Sequence, residues 1–298
     1  MKTLLFIYNS HAGKGQIRSR LADILDAFVE EGWLVTACPT LGRGDATKLA
    51  HDLGPSYDRI ICSGGDGTLH EVIEGFMGLP KSARPPIGYI PAGTTNDFAR
   101  NLALPRGMEK MAHTAAAGFP RPVDIGRLND AYFVYVAAFG AFTDVSYNTP
   151  QEFKNMFGHL AYVLKGASEL GNLRSYKLRV EHDGGVEEGS FIYGMVSNTV
   201  SVGGVLGLPK EEVALDDGLL EAILVREPQN AADLSSALLA LTSQSYTPES
   251  GVIGLHSSQF HITCDEAVPL TLDGEFGGEH HEAEIAAVNQ PIEIVYGK

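Results

Sequence analysis

Across residues 3–102 the chain repeats one pattern: a short apolar run, a glycine-rich turn, then a stretch whose apolar residues recur at the helical period. Thr3-Leu4-Leu5-Phe6-Ile7-Tyr8 reads as a buried strand, and Ile17, Leu21, Ile24, Leu25 and Phe28 then share one helix face until Gly32. The same reading predicts strands over 34–38, 59–62 and 87–90, with helices over 45–53, 69–77 and 95–102. Strands this apolar must be covered on both faces, so their alternation with helices predicts an open α/β domain on a parallel sheet. Ligands on such sheets bind beyond the carboxyl ends of the strands.

After Pro122 the texture changes. Helical patterns persist over 153–170 and 231–243, but the remainder reads as strands over 176–182, 189–197, 219–225, 260–264, 270–272 and 292–296. His182-Asp183-Gly184-Gly185-Val186 has hairpin-turn chemistry. Consecutive strands without helices between them predict a mostly antiparallel β domain.

Charge and cysteine content narrow the function. A formal net charge of -15 disfavours nucleic acid and opposes adhesion to an anionic membrane face. Cys38, Cys62 and Cys264 lie far apart without a CxxC pair, which fits neither a disulfide framework nor a thiolate zinc site and suits a reducing, cytoplasmic compartment. The first apolar run breaks at Asn9-Ser10 without a small-residue cleavage site, so no secretory leader is expected. The longest apolar stretch, over 132–142, falls well short of the roughly 20 residues of a spanning helix. Any membrane encounter is expected to be a transient one at its surface.

The most informative motif is Ser63-Gly64-Gly65-Asp66-Gly67-Thr68, between an apolar strand and a helix. Glycines there let backbone N–H groups approach an anion, and the helix N-terminus adds positive potential. Asp66 is the oddity, because a bare carboxylate in a phosphate cradle repels phosphate unless a cation lies between them. Oxygen ligands plus phosphate suit Mg2+. Turn chemistry alone accounts for the segment equally well, with Asp66 as a cap. Pro91-Ala92-Gly93-Thr94-Thr95-Asn96-Asp97 repeats the build after the next strand, where Asn96 or Thr95 also suits an N-cap. Asn9-Ser10-His11-Ala12-Gly13-Lys14-Gly15 looks like a phosphate loop without Walker A spacing, with Lys14 as a phosphate contact or an ordinary solvated lysine at a helix start. Leu272-Asp273-Gly274-Glu275 reads locally as a hairpin turn, or as a carboxylate placed to accept a proton. Asp216-Asp217-Gly218-Leu219 reads as a plain turn or an oxygen-ligand metal loop. His280 and His281 lack metal-ligand spacing and are expected to face solvent.

Taken together and in order, the segments Ser63 to Thr68, Pro91 to Arg100, Asp216-Asp217-Gly218-Leu219-Leu220 and Asp273-Gly274-Glu275 resemble those of bacterial soluble lipid kinases of the diacylglycerol kinase catalytic-domain family, essentially end to end. The first motif is shared with NAD kinases and phosphofructokinase-like proteins, whereas the second is far more specific to the lipid branch. The resemblance implies an α/β ATP-binding domain over 1–122, completed by a C-terminal strand over 288–298. It also implies a β-sandwich lipid-substrate domain over 123–287 and an active site in the cleft between the two; a homodimer is one assembly open to such a chain. Carried over by motif, Gly64, Gly65, Asp66, Gly67, Thr68, Leu69, His70 and Thr94 would bind ATP, with Asn9 and Thr40 lining the nucleotide. Asp66 and Asp97 would help to hold catalytic Mg2+, Asp273 would join that metal network, and Glu275 would accept the proton. Asp217, with the Ala214 and Leu219 carbonyls, would match a second, structural Mg2+ site. The chain departs from the family pattern in carrying Ser10 after Asn9 instead of proline, and His70 before Glu71 instead of asparagine.

The expected activity is ATP- and Mg2+-dependent phosphorylation of a lipid hydroxyl, with diacylglycerol giving phosphatidic acid. The alternatives are a kinase for a soluble substrate such as NAD, and a non-catalytic nucleotide- or lipid-binding protein. Asn96-Asp97-Phe98-Ala99-Arg100 argues against the first, and the retained Asp66, Asp97, Asp273 and Glu275 argue against the second.

Overall fold

The structure, a computed structural model, describes residues 1–13, 15–94, 96–140, 174–199, 202 and 213–297. The chain divides into two compact units, Met1–Val123 with Gln290–Lys298, and Asp124–Asn289.

In the first unit β1 (Lys2–Tyr8), α1 (Gln16–Glu30), β2 (Trp33–Pro39), α2 (Asp45–Leu53), β3 (Arg59–Gly64), α3 (Asp66–Met77), β4 (Ile87–Pro91) and α4 (Met108–Ala117) follow one another. The end of the chain's last strand pairs with β4 through Ile294 and Ile87, and the order continues β4-β3-β1-β2, every pair parallel. From β1 the chain crosses first to β2 on one side, then back over β1 to β3 and on to β4. Right-handed crossovers therefore place α1 on one face and α2 with α3 on the other. Contacts agree, since α1 packs on α4 and α2 on α3. Leu4 to Ile7 and Ile60 to Cys62 are wholly buried, as a strand covered on both faces requires.

The sequence reading overlooks α4, whose alanine-rich stretch lacks a strong apolar stripe. Tertiary contacts hold its end. Arg59 donates to the carbonyls of Ala115 (3.0 Å) and Ala116 (2.6 Å), and the Trp33 indole donates to Ala116 O at 3.1 Å. These bonds satisfy carbonyls that a helix C-terminus leaves without partners.

The second unit is antiparallel. β5 (Pro120–Leu128) leads into it and pairs with β6 (Ala131–Phe133). The remaining strands are β7 (Val136–Gly140), β8 (Tyr176–His182), β9 (Gly185–Ser197), β10 (Leu220–Arg226), β11 (Val252–Ser257), β12 (Gln259–Leu272) and β13 (Glu275–Val295). Their order is β11-β10-β9-β7-β12-β13, with β8 against β9 and β12. Phe139, Phe191, Phe260, Leu224 and Ile262 belong to one core. An α/β unit with an antiparallel β unit is the fold class expected from the sequence.

Several spans differ. The two short runs expected over 260–264 and 270–272 are one strand, β12, with shifts of register between Thr263 and Val268 and between Pro269 and Thr271. The Asp265-Glu266-Ala267 insertion hid its continuity. β11 and β5 to β7 were not anticipated, whereas helix α5 (Ala231–Ser243) agrees, started by Asn230 Oδ1 on the N–H groups of Ala232 and Asp233. His280 does not simply face solvent: its ring lies 2.9 Å from Gly277 O and 3.3 Å from Asn129 Nδ2. The helix expected over 153–170 lies outside the described residues.

Candidate active site

Parallel strands bring their carboxyl ends to one edge. Asn9, next after β1, donates its N–H to Ser63 O at 2.8 Å, and Thr40, next after β2, donates to Tyr8 O at 2.9 Å. Ala92 and Gly93, next after β4, both donate to Gly64 O, at 2.7 and 3.2 Å. Asn9, Thr40 and the two motif loops are therefore stitched together by main-chain bonds. Glycine is required where they touch. A Cβ on Gly93 would meet Gly65 Cα at 2.5 Å, and one on Gly13, at φ +54°, would run into Ala92 O.

Asp66 is a first-turn residue of α3 rather than its cap; Gly65 holds the cap position. Its carboxylate accepts from Asp97 N at 3.0 Å and from Phe98 N at 3.4 Å. Asp97 is 3% exposed, with one oxygen 3.7 Å from Arg100 Nε. The structure thus brings the first motif's carboxylate onto the main chain of the second motif. The helix expected over 95–102 shrinks to a 3-10 turn, Phe98–Leu102. The reason is Asn96, held at φ +51°, whose amide accepts from Gly93 N at 2.9 Å and donates to Gly93 O at 2.8 Å.

The other expected nucleotide residues divide by exposure. Gly67 and Thr94 are exposed, Thr68 and Leu69 are buried, and His70 is half-buried. Leu69 is core, and its N–H donates to Gly65 O at 3.3 Å. Lys14 lies outside the described residues, as does Thr95. Glu71, beside His70, caps α2 by accepting from Gly44 N (3.0 Å) and Ala46 N (3.1 Å). No sequence signal pointed to that role.

In the second unit, Asp273 and Gly274 form a two-residue turn with φ +50° and +85°, closed by the Leu272–Glu275 pair. The positive angles explain Asp-Gly here. Asp273 is 9% exposed, and its carboxylate accepts from Val134 N (2.7 Å), Tyr135 N (3.0 Å) and Val136 N (3.0 Å). Glu275 follows at the exposed start of β13.

At the Asp217 loop, Asp217 accepts from Leu219 N at 3.0 Å, and Gly218 N donates to Asp124 at 2.6 Å. Asn198 Nδ2 donates to Asp124 O at 2.6 Å. Beneath them lies Glu221, 1% exposed, whose two carboxyl oxygens have no hydrogen-bond partner among the described residues. Burial first, then Asp217 and Asp124, push its pKa up to about 8. Nothing in the sequence marks Asp124 and Glu221, which look like ordinary strand residues. Among the described residues no three acidic, histidine or cysteine side chains converge on one point. A cation here would be held by Asp217 and main-chain carbonyls such as those of Ala214 and Leu219. The buried carboxyl beside an acidic loop fits such a guest, because a cation would offset the clustered negative charge.

The chain matches the diacylglycerol kinase catalytic domain over residues 3–128 and the YegS C-terminal NAD kinase beta sandwich-like domain over residues 137–294. It is 36% identical to a diacylglycerol kinase of Bacillus subtilis (strain 168) over 280 residues, covering 93% of this chain and 91% of the relative. A diacylglycerol kinase of Staphylococcus carnosus (strain TM300) is 35% identical, with 98% of this chain and 94% of the relative covered. Among solved structures, a diacylglycerol kinase from Bacillus anthracis strain Sterne shares the fold, with a TM-score of 0.76 at 24% identity over 99% of this chain and 97% of that one.

Proposed function

We infer the reaction from one premise: the chain belongs to the diacylglycerol kinase catalytic-domain family and is a lipid kinase. The proposed reaction moves the γ-phosphate of ATP to a lipid hydroxyl, with diacylglycerol as the acceptor and phosphatidic acid and ADP as the products. The observation that carries this reading is the Asp66 carboxylate bonded to the Asp97 and Phe98 N–H groups, at the strand ends where the glycine loops meet.

Phosphoryl transfer asks a protein for positioning and charge neutralisation more than for covalent chemistry. The Gly64 to His70 segment, through the main-chain N–H groups at the start of α3, and Thr94 would orient the phosphates, with Asn9, Lys14 and Thr40 beside the nucleotide. Asp66 and Asp97 would hold Mg2+, which supplies neutralisation of the phosphate charge when bound. Glu275 would take the proton that the lipid hydroxyl loses as its oxygen bonds to the γ-phosphorus and the bond to ADP breaks. Asp217, with the Ala214 and Leu219 carbonyls, would hold the second Mg2+. No helix of the described residues is long and apolar enough to cross a membrane, so the lipid would be met at the membrane surface.

Transfer of labelled γ-phosphate in mixed micelles tests the reading. Diacylglycerol, phosphatidylglycerol, a sphingoid base, a long-chain prenol and soluble NAD are offered separately with Mg·ATP. Labelled phosphatidic acid is expected. Another labelled lipid would replace diacylglycerol as the acceptor, and labelled NADP alone would move the activity to the soluble branch that the second domain's description names.

A further inference from the structure

We propose that Asp273 is a positioning residue: its carboxylate grips three successive backbone N–H groups and thereby aims Glu275. This rests on the lipid-kinase reading and on Glu275 as proton acceptor. Val134 and Tyr135 form a bend between β6 and β7, and with Val136 they turn their N–H groups onto one carboxylate, a main-chain nest around an anion. Asp273 also donates its own N–H to Val136 O at 2.8 Å, so main chain and side chain seize the same segment. From the other side, Asn198 N donates to Tyr135 O at 3.1 Å. The anchored residue is itself the first of the two left-handed residues that reverse the chain, and Glu275 stands directly after them.

The resemblance places Asp273 in a metal network, and lone-pair accounting favours the nest. A carboxylate offers about four acceptor sites. Val134, Tyr135 and Val136 engage three. An asparagine would suit the turn equally well, since its backbone tolerates φ > 0. Its amide NH2, however, would face N–H donors, so the charged carboxylate is needed for the nest and not for the turn. A base displaced by about 1 Å loses on the order of 100-fold in rate. That loss should appear in kcat and leave metal affinity alone.

Phosphoryl transfer to diacylglycerol in micelles, measured across Mg2+ and ATP concentrations, tests this with four full-length variants. Asp273→Asn is expected to lower kcat about 100-fold, with the Mg2+ half-saturation and the KM for ATP unchanged. Asp273→Asn/Glu275→Gln should be no slower than Glu275→Gln alone, because a misaimed acceptor and a missing one cost the same step. Gly274→Ala guards against a folding failure of Asp273→Asn. Its added methyl meets open space, yet φ +85° strains the turn while the Asp273 carboxylate stays in place, so kcat should again fall at unchanged Mg2+ dependence. A Mg2+ half-saturation raised tenfold in Asp273→Asn would make Asp273 a metal ligand and overturn the proposal. Wild-type kcat in Gly274→Ala, or a double variant slowed by the product of the single losses, would overturn it too. Wild-type turnover in Glu275→Gln would instead remove the proton acceptor on which it rests.

Discussion

Asp66 has two tasks that one pair of substitutions separates. Its carboxylate satisfies the N–H groups of Asp97 and Phe98, and its charge is what a metal-bound nucleotide would use. Asp66→Ala strands two donors, at a cost of about 1–3 kcal/mol, and should lower both the melting temperature and turnover. Asp66→Asn removes the charge and keeps one acceptor oxygen, so it strands one donor instead of two. It should melt between Asp66→Ala and the wild type while turnover falls at least about 100-fold. Thermal unfolding beside the micelle assay checks this, and an active Asp66→Asn would reduce Asp66 to a loop fastener. That Asp66 sits in a glycine-rich turn between a strand and a helix was legible in the sequence. Its partnership with the Asp97 and Phe98 amides was not, because hydrogen-bond partners across two loops leave no periodic trace. Glu71 makes the same point, a surface-helix acid by pattern and the cap of α2 in fact.

At the scale of elements, the hairpins were the most readable pieces. Asp183-Gly184 and Asp273-Gly274 each join paired strands, because tight reversals need residues that accept φ > 0 or bond their own turn. Both turn aspartates also reach main-chain N–H groups of another strand connection. Asp183 accepts from Ser258 N at 2.7 Å, and this bond, followed by the Ser258 hydroxyl, holds its pKa below the ordinary carboxylate value. A lowered folded pKa stabilises the fold above the unfolded value of about 3.9, and that contribution disappears as pH falls through the lowered one. Asp183→Asn should therefore melt below the wild type at pH 7, with the gap closing towards pH 2. A gap independent of pH would mean that shape, not charge, holds the β8–β9 turn. Element lengths were less legible. β12 carries two irregularities that break its alternation, and the second motif's helix yields to a 3-10 turn because Asn96 bonds its own loop. In both places local polar bonding overrode the pattern.

For the whole molecule, the -15 charge is ordinary for solubility but concentrates repulsion wherever acids are buried together. The second unit buries Glu221 and Asp124 near the exposed Asp217, and a divalent cation bound only to the folded chain would stabilise it by about 2.7 kcal/mol at 100 times its Kd. Without nucleotide, EDTA should lower the wild-type melting temperature relative to Mg2+ by a few degrees, and Asp217→Ala should melt alike in both. Equal wild-type melting in EDTA and Mg2+ would count against the site. The sequence alone determined the α/β and antiparallel β classes, the family and the order of its acidic loops. Periodicity records which face of an element is buried, and glycine marks where backbones must turn or touch. Only the tertiary structure decided what each carboxylate does. Asp66 meets Asp97 and Phe98 across 31 and 32 residues, Asp273 meets Val134 to Val136 across 139 to 137, and Glu221 is buried without a hydrogen-bond partner among the described residues. A hydrogen bond depends on two groups meeting in space, and residue spacing along the chain does not encode that meeting.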